Sequence, residues 1–336
     1  MGQRMEETRR MLYPLQFSPV YFKKVWGDRR LEILMDRPLP PGQPIGESWE
    51  ISDHPHGESI VINGPLRGTS LHDLLRRDPD GLLGAYVRAR FGDTFPLLVK
   101  YLDANDRLSV QVHPDDAYAL AHEGERGKTE MWYVLHADPG AAIIAGLREG
   151  VTKDEFIRAL AAGDPTALLH HLPVKTGETI LIPAGRIHTL LPGLLVLEIQ
   201  ENSDTTYRLY DWGRVGLDGK PRELHVEKAL AVIHWSDYYA RPETERAERL
   251  NGNRRSVLTT CEYFTVEKYS LAGEHTFHLR DDRFYLLNCV AGACALTWED
   301  GTETLRYGDS VLIPADLTDF TLQPDDDASF LISYVT

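Results

Sequence analysis

The chain has 336 residues, 42% of them hydrophobic, and a formal net charge of −15. Its length predicts two domains or one duplicated core, and its acidic balance argues against binding nucleic acid or anionic membranes, which need a net basic face. No stretch approaches the roughly 18 to 20 apolar residues of a membrane span, and the charged start MGQRMEETRR lacks the apolar core of a signal peptide, so a cytoplasmic protein is expected.

Residues 1–12 read as a polar extension, and strand material begins at LYPLQFSPVYF. The Pro- and Gly-broken segment that follows contains two short strands, WEIS and SIVIN. Helical spacing appears in SLHDLLRRDPDGLLGAYVRARFG, with Ser70 capping one short helix and a break at Asp78–Asp80. FPLLVKYLDA is an apolar run of strand length that contains Lys100. Further on, TKDEFIRALAAGDPTALLHHL predicts two short helices, the first opened by Thr152 and Glu155 as a capping box. From Val174 to Gln200 strands alternate with Pro and Gly turns; ENSDTTYRLYDWGR follows, and ELHVEKALAVIHW is helix-like. These elements predict a catalytic domain over 13–240, a charged linker over 241–255 and a second domain of short strands over 256–336. Cys261, Cys289 and Cys294 form neither a CxxC pair nor an even disulfide framework and read as reduced, buried thiols.

The most informative stretch is QVHPDDAYALAHEGERGKTEMWYVL, residues 111–135. In a strand, the period of two puts Gln111 and His113 on one face. Glu130 heads the next β-prone run, and a later PAGRIH turn supplies His188. A mixed Gln, His, Glu, His set suits a borderline divalent ion, with zinc first and iron, manganese, cobalt or nickel behind it. The His-bearing strand, the strand that starts with Glu and the G-x5-P-x-G-x-x-H turn resemble the two motifs of the cupin jelly roll. The expected fold is therefore mainly β, with two cupin-like jelly-roll units and short helices inserted in the first. The second unit is an internal echo: GDSVLIPADLTDFTL aligns with GETILIPAGRIHTLL but carries Asp319 where the first copy has His188, and Arg283 stands in place of its carboxylate. The remaining histidines, His54, His56, His122, His136, His170 and His171, read as surface or turn residues, with His54 the one expected to line the same cavity.

The motifs GESWEISDHPHG, PLLVKYLDA, LSVQVHPDD, GKTEMWYVL, PAGRIHTL and EIQENSDTTYRLYDWGR, in this order, resemble the type I mannose-6-phosphate isomerases of the short bacterial form over nearly the whole chain. The resemblance implies one zinc ion on Gln111, His113, Glu130 and His188, and proton transfer between C1 and C2 of a hexose 6-phosphate through a cis-enediol, interconverting mannose 6-phosphate and fructose 6-phosphate. It makes Arg208 the essential arginine, for the developing charge or the phosphate; structural pairing with Asp204 or Asp211 is the alternative. Lys128 is expected beside the metal, where burial and a neighbouring cation lower its pKa and suit it to an acid or base role, with phosphate binding an equally natural alternative. Ser109 and Lys100 match positions lining the substrate site. Glu198 is the candidate carboxylate base, with Lys128 and a water on the metal as alternatives for the proton transfer. Asp115 and Asp116 are expected to stabilise a turn or helix start. A non-catalytic sugar-phosphate sensor, a storage-type bicupin, or another cupin isomerase, epimerase or oxygenase are the competing readings. The ligands, the arginine and the lysines together favour the isomerase, acting as a monomer or weak homodimer.

Overall fold

The structure, a computed structural model, describes residues 12–238 and 247–336. All but the last residue of the extension expected over 1–12, and the first part of the expected linker, lie outside the described residues. Strands dominate, and the contacts divide the chain into two compact units.

The first unit comprises Tyr21–Ser48 and the described residues from Val99 to 238. Its six-stranded sheet runs Thr179–Ile182, Glu130–Ala137, Leu194–Glu201, Leu97–Ala104, Ile45–Ile51, Val20–Asp28, and its five-stranded sheet runs Leu169–Pro173, Ala142–Leu147, His188–Leu190, Val110–Val112, Tyr207–Tyr210. Alternation fills the space between the sheets: Leu102, Ala104, Trp132, Val134, Leu194 and Val196 from one meet Ala145, Leu172 and Leu190 from the other. The same faces end in polar groups one pleat further along, because Lys100, Glu130, His188 and Glu198 each stand two residues from a core residue of their own strand.

The helix at Lys153–Ala161 has the expected capping box, with Thr152 Oγ1 accepting from Glu155 N and the Glu155 carboxylate accepting from Thr152 N. The second helix expected after it is reduced to one 3₁₀ turn at Thr166–Leu168. Beyond that turn Leu169–Pro173 is a strand paired with Ala142–Leu147. Sheet pairing and the burial of Leu169 and Leu172 override the helical spacing there. The helix-like ELHVEKALAVIHW is helical over Val226–Val232.

The second unit contains Trp49–Leu98, the described residues before Tyr21 and those after the undescribed gap. Its eight-stranded sheet has the order Ala247–Leu250, Asn253–Thr260, Phe264–Leu271, Ala328–Val335, Tyr285–Ala291, Ser310–Ile313, Leu15–Ser18, Ile60–Val61, and it is accompanied by a four-stranded sheet, His275–His278, Asp319–Pro324, Ala293–Trp298, Gly301–Arg306. Their facing side chains, among them Leu271, Phe277, Leu287, Cys289, Cys294, Phe320 and Phe330, form a second core. This contact pattern differs from sequential domains split by a linker. Leu15 pairs with Leu312 and Phe17 with Val61, and residues 247–255, assigned in the sequence to the linker, form a hairpin in which Leu250 pairs with Asn253.

Helices of the second unit obey local rules. Ser70 caps Leu71–Arg77 through Asp73 N, and Asp78 caps Pro79–Phe91 through Gly81 N. Gly84 breaks the latter helix at φ 79°, and a Cβ there would lie 2.1 Å from Asp282 O. Among the described residues no helix is long and apolar enough to cross a membrane.

Candidate metal centre

Gln111 sits in the middle strand of a local three-strand group. His188 is its cross-strand partner on one side and Arg208 on the other, so all three side chains project to the same face. His113 follows at the end of the strand, and Glu130 begins a strand of the other sheet.

Each histidine is aimed by a carbonyl group. His113 Nδ1 donates to Thr205 O and His188 Nδ1 to Arg186 O, both at 2.9 Å. A carbonyl only accepts, so the proton resides on Nδ1 and the Nε2 lone pair is presented to the centre, as in metal-ligating imidazoles. The donor atoms of His113, Glu130 and His188 all lie within 4.8 Å of one another, and all three side chains are buried. Gln111 Nε2 is 3.3 Å from His188 Nε2, and Ser109 Oγ donates to Gln111 Oε1 at 3.3 Å.

Glu130 is 0% exposed, and its Oε1 has no hydrogen-bond partner among the described residues. Leaving a buried carboxylate oxygen unpaired is costly in a protein interior. Two neutral imidazoles and an orphaned carboxylate oxygen therefore form a donor set suited to a divalent cation. Burial drives the His188 pKa down to about 3, with the His113 and Lys128 charges adding to the effect and Glu130 opposing it. His113 is lowered for the same reason, burial first and Lys128 second. Burial would raise Glu130, but Lys128 and His113 outweigh it and hold the carboxyl well below its ordinary range.

Lys128 lies against this set, with Nζ 2.7 Å from Glu130 Oε2 and 3.1 Å from His113 Nε2. The expected lowering of its pKa is reversed. Burial does pull the ammonium down, yet the charges of Glu130 and Glu198 exceed that effect and raise it.

Glu198, Arg208 and Asp115 belong to the same compact unit as this set. Glu198 is 3% exposed, accepts from Trp132 Nε1 at 2.9 Å and faces Lys100 at 3.6 Å. Burial and the Glu130 charge push its pKa up to about 7, against Lys128, Lys100 and the indole. Arg208 is half-buried and donates through NH1 to Glu223 O at 2.7 Å, leaving its Nε buried without a partner among the described residues. The expected structural alternative of an Asp211 pair does not form, since Asp211 is bound by Arg214 and Arg222. Burial, joined by the Arg222 and Arg214 charges, lowers the Arg208 pKa. His54 belongs to the other compact unit, buried with its ring 5.6 Å from Trp49. Asp115 caps the helix Asp116–His122 through Tyr118 N.

Residues 15–138 match the family model for the catalytic domain of type I phosphomannose isomerase, and residues 254–335 match the mannose-6-phosphate isomerase cupin domain. The mannose-6-phosphate isomerase of Streptococcus mutans is 40% identical over 310 residues, covering 90% of this chain and 93% of that protein. The chain belongs to the type I phosphomannose isomerase family. Another member, ManA of Bacillus subtilis, is 37% identical over 92% of this chain and 96% of its own length. A crystal structure of the mannose 6-phosphate isomerase from Bacillus subtilis superposes with a TM-score of 0.87 at 36% identity, covering 96% of this chain and 99% of that one. A putative mannosephosphate isomerase from Archaeoglobus fulgidus, 23% identical with a TM-score of 0.77 over 96% of this chain and 97% of its own, shares the fold.

Within this type I phosphomannose isomerase, three groups at the centre carry no motif signal. The Thr205 and Arg186 carbonyls that aim the histidines are backbone atoms, which no residue pattern marks. Trp132 is hidden in an apolar run, where only its two-residue spacing from Glu130 places it on the same face.

Proposed function

We propose that the chain interconverts mannose 6-phosphate and fructose 6-phosphate in the cytoplasm, using one divalent cation, zinc before other metals, held by Gln111, His113, Glu130 and His188. The observation that carries this reading is the convergence of two Nε2 lone pairs on a buried carboxylate with an unpaired oxygen, in a chain of the phosphomannose isomerase family. Nitrogen and carboxylate donors of this mixture are those of catalytic zinc sites.

When bound, the cation supplies positive charge beside the sugar oxygens that become negative as the cis-enediol develops. The protein groups supply the rest. Glu198 is assigned the transfer of the carbon-bound proton between C1 and C2, because it is a buried carboxyl group held in place by the Trp132 indole and is not one of the proposed ligands. Lys128, the ammonium next to Glu130, is assigned the proton exchanged at the sugar oxygens. Lys100 and Ser109 bind the sugar phosphate, and Arg208, whose Nε has no partner among the described residues, attracts its negative charge.

The reading is tested by measuring bound metal together with conversion of mannose 6-phosphate to fructose 6-phosphate in the wild type, His113→Ala and Arg208→Ala. An active wild type that contains no metal would refute it.

A further inference from the structure

Lys128 owes its place between His113 and Glu130 to the backbone around it, and two carboxyl groups with no role in the chemistry above hold that backbone. On one side the Gly127 amide donates to Asp116 Oδ1 at 2.7 Å, and on the other the Thr129 amide donates to Glu201 Oε2 at 2.7 Å. Between them the Lys128 amide donates to Pro114 O at 3.0 Å, and Glu201 returns its own amide to Thr129 O at 3.1 Å. Glycine is needed at 127 for this approach, since a Cβ there would lie 2.5 Å from Asp116 N.

Glu201 is 1% exposed, and among the described residues its Oε1 meets no donor. The charged group it faces on the Asp116–His122 helix is Asp116, whose Oδ2 lies 3.5 Å from Arg126 NH1. The two carboxyl groups are within hydrogen-bonding reach, a bond that exists only when one of them carries a proton. Glu201 is the more buried of the two, so ionising it beside the Asp116 carboxylate is disfavoured. Burial, joined by the Asp116 charge, pushes Glu201 up to about 8 against the lowering effect of the Thr129 amide.

We infer that Glu201 is a positioning residue for Lys128: in its neutral form it donates a hydrogen bond to Asp116, and the two side chains clamp the peptide units on both sides of the lysine. Loss of that proton sets two carboxylates against each other and loosens the backbone of residues 127–129. The inference rests on the isomerase reading for its activity readout only.

The test compares zinc-loaded wild type, Glu201→Gln and Glu201→Ala in mannose 6-phosphate isomerisation and in thermal melts between about pH 5 and about pH 9. Glutamine reproduces the neutral form, its oxygen accepting from the Thr129 amide and its NH₂ donating to Asp116. In Glu201→Ala, kcat falls about tenfold to a hundredfold at unchanged zinc content. Glu201→Gln recovers kcat to within about twofold and lacks the decline that the wild type shows as pH rises through about 8. Because the folded pKa is raised, the stability contributed by Glu201 is complete below its unfolded value and is lost as pH rises toward about 8. The Tm advantage of Glu201→Gln over wild type therefore widens across that interval. An alkaline decline in Glu201→Gln equal to that of the wild type, or a Tm gap that does not change with pH, overturns the inference. A zinc-loaded wild type without isomerase activity overturns the isomerase reading instead, and the melts then decide the hydrogen bond to Asp116. If Glu201→Ala does not fold, the comparison of wild type with Glu201→Gln decides alone.

Discussion

Trp132 and Glu198 are direct cross-strand partners, and the indole Nε1 donates to Glu198 Oε1 at 2.9 Å. One residue thus serves two layers, because its ring is part of the core between the sheets while its N–H holds the carboxyl group assigned to proton transfer. Trp132→Phe keeps most of the apolar volume and removes the donor. Leaving the buried oxygen unpaired costs about 1–3 kcal/mol of stability, measurable by denaturant unfolding. We expect kcat to fall about tenfold with KM nearly unchanged, short of the 10²–10⁴ loss expected for Glu198→Ala if that carboxyl is the base. Equal losses in the two variants would show that the carboxyl adds nothing beyond its bond to the indole, and would remove it as the base.

Metal dependence separates the ligands from their neighbours. His113→Ala and His188→Ala are expected to lose both bound metal and activity. Dialysis against a chelator should abolish activity in the wild type, and added zinc should restore it. Bound zinc is also expected to stabilise the folded state, by about 2.7 kcal/mol when free metal is a hundredfold above its dissociation constant. Calorimetry should therefore show a zinc-dependent rise in Tm for the wild type and none for His113→Ala.

Arg208 tests charge stabilisation without touching the ligand set. Arg208→Ala should retain one metal per chain and lose about 10²–10³ in kcat/KM, the usual scale for removing a charge-stabilising donor. Arg208→Lys should not restore the rate, since a lysine cannot reproduce the planar guanidinium with its buried Nε. Metal analysis and steady-state kinetics check both points.

The second core has its own titrating hub. Glu267 is 3% exposed and accepts from Arg255 through both oxygens, from Tyr334 Oη at 2.9 Å and from Tyr269 Oη at 3.1 Å. Burial would raise its pKa, but Arg255 and Tyr334 outweigh it and hold the carboxyl below its ordinary value of 4.5. A depressed folded pKa contributes stability that is present above the unfolded value and lost as pH falls through the folded one. Below about pH 4.5, then, the Tm of the wild type should fall more steeply than that of Glu267→Gln. At neutral pH Glu267→Gln should be the less stable protein, by about 1–3 kcal/mol, because its donors lose a charged acceptor.

The site was legible in the sequence wherever its chemistry followed a local rule. Gln111 and His113 share a face because the strand period is two, Glu130 heads a β-prone run, and His188 follows a Pro-Gly turn whose form is recognisable. The direction of the Lys128 pKa was not legible, since it depends on Glu198, which only the pairing of two strands brings near. Glu201 was missed for a similar reason: its partner Asp116 is remote in the chain and looked like a helix-start residue. The fold was readable as two β units, but their membership was not. Strand pairing is set by long-range packing, and nothing in LQFS announces that it belongs beside SVLI.

That last pairing has a consequence in time. Leu15 is synthesised 297 residues before Leu312, its neighbour in the sheet. The eight-stranded sheet therefore cannot close until Ser310–Ile313 has been made, and the two strands on that side of it, Leu15–Ser18 and the edge strand Ile60–Val61, must wait for it. A fragment starting at residue 256 would be made with the Ser310–Ile313 edge bare, and an uncovered strand edge is an invitation to aggregate.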